Sequence, residues 1–210
     1  MGSIGKVQTN SNSITYTQAE LDEALERWQS DEFTEMRAID DIESGDWQRW
    51  INDPNSYYDE EDIARLQRNN KILNDFLKNS PKYKGEVERG LVFDSKAALD
   101  KFLKQNKVGA IVTSKSMASW SSRKGEGASY GGDMALDAKS VGFATVVVMH
   151  KVTSQGVAIE VGGQQEKILP KGIQNKVLKV TKGKYTNHGQ SVPRVDIYYQ
   201  ELKQKRKRGK

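Results

Sequence analysis

Three short segments, far apart in this 210-residue chain, carry side chains that together could bind an anion and stabilise a developing positive charge. They are Glu88-Arg89-Gly90, Thr113-Ser114-Lys115-Ser116 and Gln164-Gln165-Glu166. Arg89 alternates with Val87 and Leu91, so the three share one face of a strand. A charge on an apolar face is costly unless it is paired. Arg89 therefore has two readings: the partner of an acidic neighbour, or an anchor for a phosphate or carboxamide, which a guanidinium holds by forked hydrogen bonds. Gly90 beside it leaves room for a ligand at the backbone. The hydroxyls at 113–116 follow an apolar run and begin a turn, and Ser116 could also cap a helix through Ala118 and Trp120. Glu166 follows a Gly162-Gly163 turn of hairpin type, and Gln164, two residues before it, shares its face. That pairing sets a neutral amide beside a carboxylate at the mouth of a hairpin.

The elements that must position these residues change character along the chain. Residues 1–16 read as a flexible segment. Thr17-Gln18-Ala19-Glu20 is a capping box, and Leu21, Leu25 and Trp28 follow at helical spacing. Phe33, Met36 and Ile39 continue an apolar stripe, Trp47 and Trp50 turn inward, and Asn52-Asp53-Pro54-Asn55 breaks the chain. Asp59-Glu60-Glu61-Asp62 opens a helix where the dipole favours acid; Ile63, Leu66, Leu73 and Leu77 give it an apolar face, and Ser80-Pro81 ends it. From Tyr83 the period becomes two. Strands are expected at Lys84–Leu91, Val108–Thr113, Phe143–His150, Val157–Val161, Glu166–Leu169, Leu178–Val180 and Val195–Tyr199, with a short helix from Ser95. The four glycines between Gly125 and Gly132 read as a flexible loop. The expected fold class is α+β, with helices first and a strand-rich core after them.

Composition narrows the chemistry. Hydrophobic residues make up 36% and charged residues 29%, the balance of a globular domain. No apolar run approaches the roughly 20 residues that cross a bilayer, and the N-terminus has no signal-peptide core, so the expected setting is cytoplasmic, without a membrane partner. Cysteine is absent, which excludes thiolate nucleophiles, disulfides and cysteine-based zinc sites. Two distant histidines, His150 and His188, make no metal site, and His150 reads as a satisfied core residue. Net charge is +5 with a pI near 9.2, and the charge is polarised: residues 20–62 are acid-rich, whereas 203–210 form a basic tail. That tail is either a solvated end or an attractor of phosphate.

Order and surroundings together resemble the arginine–serine–glutamate group of mono-ADP-ribosyltransferases. Tyr83-Lys84-Gly85-Glu86-Val87-Glu88-Arg89-Gly90-Leu91 looks like that family's first core strand. Ile111 to Ser116 resembles its Ser-Thr-Ser strand, with Lys115 in place of the threonine. Ala158 to Gly172 is similar to its target-recognition turn and catalytic-glutamate strand, and is the most specific of the three matches. The likeness spans roughly Ile63 to Tyr199 and points to the exoenzymes of the family and to transferase-like modules of phage head proteins.

The resemblance implies a split β-sandwich core at 83–200 behind a helical part at 17–82, together one domain, followed by a basic tail at 201–210. It implies NAD as substrate without a metal, and transfer of ADP-ribose to an acceptor, a glycosyltransferase reaction of a toxin or phage effector. Arg89 would hold the NAD phosphates, Gly90 would meet the nicotinamide amide through its backbone, and Ser114 or Ser116 would support the ribose and the glutamate. Glu166 would accept the ribose 2′-hydroxyl and stabilise positive charge on the ribose. Arg123 and Lys124 could clamp the pyrophosphate, and Tyr130 could cover the nicotinamide. Glutamine at 164, where arginine-modifying members have glutamate, implies a non-arginine acceptor: an Asn or Gln side chain, or a nucleic-acid base. Two further readings are a NAD glycohydrolase and a catalytically inactive phage-head or nucleic-acid-binding module of the same fold.

Overall fold

A computed structural model of the chain describes residues 14–30, 39, 58–140, 142–159 and 166–203. Met1–Asn79 and Ser80–Lys210 form two compact units. In the first, α1 (Gln18–Gln29) and α2 (Glu60–Asn79) pack together. Both bonds of the Thr17–Glu20 capping box are present. The Glu20 carboxyl is held down to about 2 by the Thr17 N–H and by Arg68, which also bonds the Thr15 carbonyl at 2.8 Å. Leu21, Ala24 and Trp28 are buried on α1, and Ile63, Leu66, Ile72, Leu73 and Leu77 on α2. The expected positions Phe33, Met36, Trp47, Trp50 and Asn52–Asn55 lie outside the described residues.

Among the described residues the second unit holds seven strands. They are β1 (Tyr83–Phe93), β2 (Ile111–Thr113), β3 (Ala118–Ser121), β4 (Thr145–Ile159), β5 (Glu166–Leu169), β6 (Gln174–Asn187) and β7 (Gln190–Glu201). Two helices join them, α3 (Lys96–Gln105), capped by Ser95, and α4 (Glu126–Lys139). The strands pair in the order β1-β3-β5-β4-β7-β6-β2, and β1 also pairs with β4. The long β4 changes partner along its length. Residues 145–156 lie antiparallel to β1, and Val157–Ile159 lie antiparallel to β5. As β3 pairs with both β1 and β5, the strands β1, β3, β5 and β4 close into a ring of pairings.

The two faces of the β1–β4–β7 layer bury different partners. Val87, Val147, Met149, Val195, Ile197 and Tyr199 form one core, with Leu99, Phe102 and Leu103 of α3 and Trp120 of β3. Val146, Val148 and Val192 on the other face meet Ala128 and Ala135 of α4. Three consecutive valines with no exposure show why β4 reads as a continuous β-branched run: both of its faces are covered. Each such side chain contributes about 1.5–3 kcal/mol on burial, enough to retain polar groups in the same layer. Lys151 is one of these. Its ammonium bonds Asn175 at 3.1 Å and lies 5.0 Å from the Trp120 ring, and burial pushes its pKa down against the pull of Glu201.

Three expectations are corrected. The glycine-rich stretch expected as a loop is the first half of α4. Its glycines are packing residues: a Cβ on Gly90 would collide with the Gly127 carbonyl and lie 3.0 Å from the Gly131 Cα, and one on Gly132 would strike the Tyr185 ring. The helical penalty of about 1 kcal/mol for each glycine is offset by this close contact between α4, β1 and β6. The helix that Ser116 could have capped through Ala118 and Trp120 is instead β3, because Trp120 is held in the sheet opposite Lys167. The separate strand expected from Val157 is the continuation of β4. Gly90→Ala is expected to cost about 1–3 kcal/mol by overpacking, since its nearest neighbour is backbone that cannot swing away. Chemical denaturation measures this, and an unchanged midpoint would show that α4 is not pinned on Gly90.

Candidate active site

One row of cross-strand neighbours joins the separate segments. Ser121 of β3 lies opposite Glu88 of β1 on one side and opposite Glu166 of β5 on the other. Residues directly opposite in antiparallel strands share a face, with Cβ atoms about 4.5–5.5 Å apart. Glu88, Ser121 and Glu166 therefore stand side by side across three strands. Arg89 and Gly90 are the next two residues of β1. Arg89 is half-buried and lies opposite Met149, on the face of Val87 and Leu91. Glu166 is half-buried at the first position of β5. The Arg-Gly step and Glu166 are thus one strand apart, with β3 between them, and Arg89 alternates to the face opposite that of the row.

The expected serines are elsewhere. The Ser114 N–H donates to the Ile173 carbonyl at 2.9 Å, and its carbonyl accepts from Gly172 at 2.7 Å. Those residues follow Leu169, which pairs with Ala118 at the end of β5 opposite to Glu166. Ser114 and Ser116 therefore do not join the row. The hydroxyl in the row belongs to Ser121, which the sequence reading did not select. A signal for it exists in Ala118-Ser119-Trp120-Ser121: one large apolar residue between two serines is the period of a short strand with one buried face, and Trp120 is buried.

The first turn of α4 packs on the Glu88 and Ser121 end of this row. Its N-cap, Gly125, is left-handed and supplies no capping side chain. The cap comes from β1: the Glu88 carboxylate accepts the Gly127 N–H at 2.7 Å and the Ala128 N–H at 3.3 Å. A carboxylate at a helix N-terminus meets both the orphan donors and the positive end of the dipole, which accounts for a buried Glu88. Its other oxygen lies 3.8 Å from His150 Nδ1. His150 Nε2 stands 2.7 Å from Asp196 Oδ1, and Arg194 bonds both Asp196 oxygens. Burial pushes the Asp196 carboxyl up, but the hydrogen bonds from His150 and Arg194 outweigh it and hold the group below the usual range. His150 is thus a satisfied residue, stacked on Tyr198 at 4.7 Å between ring centroids.

The remaining candidates flank the row. Arg123 and Lys124 are exposed in the turn between β3 and α4, where the Arg123 N–H donates to Ser121 Oγ at 3.0 Å. Tyr130 lies on the outer side of α4, 62% exposed. Gly90 meets α4 on the side that a Cβ would fill. Gln164 and residues 204–210 of the basic tail lie outside the described residues. Among the described residues no group of three His, Asp or Glu side chains could hold a metal ion, and no helix is long and apolar enough to cross a membrane.

The sequence matches no family model and no curated protein. Solved structures do resemble the fold. The Vis toxin, an ADP-ribosyltransferase from Vibrio splendidus, aligns with a TM-score of 0.53 at 15% identity, over 89% of this chain and 74% of that one. The type III effector XopAI from Xanthomonas axonopodis pv. citri gives 0.53 at 18% identity, over 86% and 62%. The enzymatic component C2-I of the C2-toxin from Clostridium botulinum gives 0.52 at 15%, over 87% of this chain but only 44% of its own. Likeness at such identity speaks for architecture, and on that ground this chain, with its helices and strand-rich core, has the fold seen in ADP-ribosyltransferase toxins.

Proposed function

We propose that the chain is an NAD-dependent mono-ADP-ribosyltransferase whose site lies where β1, β3 and β5 meet, at Arg89-Gly90, Ser121 and Glu166, with Glu88 holding α4 beside it. The observation that carries this reading is the double pairing of Ser121, which brings the arginine strand and the glutamate strand to one place. In the reaction the bond between nicotinamide and ribose C1′ breaks, its electron pair leaves with neutral nicotinamide, and positive charge develops on the ribose. Glu166 stabilises that charge and accepts the 2′-hydroxyl. Arg89 holds phosphate oxygens by a forked contact, with Arg123 and Lys124 adding positive charge nearby. The acceptor nucleophile then bonds to C1′ and releases its proton. No step needs a thiol, and the chain has none.

The direct test is release of nicotinamide from NAD by the purified chain, with label from NAD followed into a lysate. Protease or nuclease sensitivity of the label then identifies the acceptor. Release without any labelled acceptor would make the chain a glycohydrolase. No release at all would leave a non-catalytic module of this fold.

Gln164 bears on the acceptor. A primary amide both donates and accepts, so it can read another amide or a base edge, and it carries no charge for a guanidinium. Gln164→Ala is expected to abolish transfer to the natural acceptor while retaining most NAD hydrolysis, as Glu166 and Arg89 remain. Adducts on arginine side chains, or equal loss of both activities, would refute this assignment.

A further inference from the structure

The strand β6 carries four lysines, Lys176, Lys179, Lys182 and Lys184, and no Asp or Glu. The wider stretch 167–195 holds no Asp or Glu either. All four lysines are exposed, and none has a carboxylate partner among the described residues; Lys179 lies 5.7 Å over the Tyr198 ring. At the rise of a strand they span about 25 Å. One side of β6 pairs with β7, and on the other β2 and the turn before it reach only to Val177. Beyond that point the outer edge of β6 has no strand partner among the described residues, so unpaired backbone N–H groups stand beside the lysines. At the start of β6 the Gln174 carbonyl accepts the Leu202 N–H. That bond puts Lys203, the first cation of the basic segment 203–210, at the same end of the strand.

Lysines on an edge strand can serve to repel other strands. Charge of either sign serves that end, which leaves the absence of every carboxylate, here and in 203–210, unaccounted for. We propose that the outer edge of β6 is a binding surface for nucleic acid, held through its phosphate backbone. A linear ridge of positive charge matches a linear polyanion, and backbone N–H groups are phosphate ligands alongside lysines. A ridge of about 25 Å covers roughly seven phosphates of one duplex strand. The arrangement suits phosphate better than an acidic peptide. Lys179, opposite Tyr198, lies on one face of the sheet, whereas Lys182 and Lys184, opposite Val195 and Pro193, lie on the other. A peptide paired with this edge would reach the two faces by alternate residues and would need acid at nearly every position. A phosphate backbone carries charge at every unit and is reached from both faces. No base is read by such contacts, so binding is independent of sequence. This surface is separated from β5 by β4 and β7, and the inference stands apart from the transferase reading.

The salt dependence of binding tests this. Anisotropy of a fluorescently labelled oligonucleotide, single-stranded and as a duplex, is measured with the full chain between about 50 and 200 mM salt. Thermal unfolding of each variant is recorded beside it. For the wild type, the logarithm of affinity should fall linearly with the logarithm of salt concentration. Lys176→Gln, Lys179→Gln, Lys182→Gln and Lys184→Gln together should reduce the steepness of that line by about 3, the loss of four phosphate contacts. The pair Lys101→Gln and Lys104→Gln, exposed on α3, lowers net charge away from the ridge and should change the slope by less than about 0.5. If the fourfold variant does not fold, Lys182→Gln with Lys184→Gln carries the test, with an expected change of about 1.5. Failure of the wild type to bind at the lowest salt overturns the proposal. So does an unchanged slope in the ridge variants, which would leave the lysines as guards of the edge. Equal loss from the α3 pair would reduce the effect to net charge, and equally tight binding of poly-glutamate would reduce it to attraction of any polyanion; either overturns the proposal. Nicotinamide release decides the transferase reading separately from all of these outcomes.

Discussion

Glu166→Gln is expected to lower nicotinamide release by about a hundredfold or more, the loss that follows removal of one preorganised electrostatic contact. Glutamine preserves the size and hydrogen-bonding reach of the side chain but not its charge. What is lost is therefore stabilisation of the positive ribose, not the shape of the site. The strand around it should be indifferent to the change: Glu166 is held by backbone pairing to Ser121 and Ile159, and the residues after it, Lys167, Ile168 and Leu169, carry the burial. NAD affinity should therefore change much less than kcat, and unfolding should stay within the range of a surface substitution, about 0.5 kcal/mol. Steady-state nicotinamide release and a thermal melt give both numbers. Near-wild-type turnover would remove Glu166 from the chemistry and leave it a structural charge at the start of β5.

How far this site could be read from sequence depended on how local each signal was. The alternation of Val87, Arg89 and Leu91 is a local pattern, and β1 forms over it. The Thr17–Glu20 capping box is complete within four residues, and both of its bonds are present. Ser121 was hidden because β3 is four residues long and exists through its pairings with β1 and β5, partners distant in sequence. The denser hydroxyls at 113–116 gave the louder local signal and lay at the other end of β5. Helix α4 was hidden for a related reason. Its glycines lower helix propensity, and what compensates them is tertiary: a cap lent by Glu88 from 39 residues away and close contact of Gly127 and Gly131 with Gly90. The length of β4 was obscured by Ser154-Gln155-Gly156, which reads as a turn; in the structure Gly156 pairs with Tyr83 and the strand runs on to β5.

Arg89→Lys distinguishes the two readings that its sequence left open. Lysine keeps the positive charge and the aliphatic stem, so the apolar neighbours Val87 and Leu91 on its face lose little packing. It cannot reproduce a forked, planar contact with a phosphate. If Arg89 is a ligand anchor, NAD affinity should fall about ten- to a hundredfold, the range for losing a hydrogen bond to a charged group, while the melting temperature stays nearly unchanged. If Arg89 serves a structural ion pair, the order reverses: stability drops and NAD affinity holds. Titration with NAD, followed by a thermal melt of the same sample, yields both quantities. The comparison is informative because Glu88, the next residue of the strand, already has partners in α4 and His150. Loss of the Arg89 fork leaves that network intact, so an effect confined to NAD affinity identifies a group that works on the ligand.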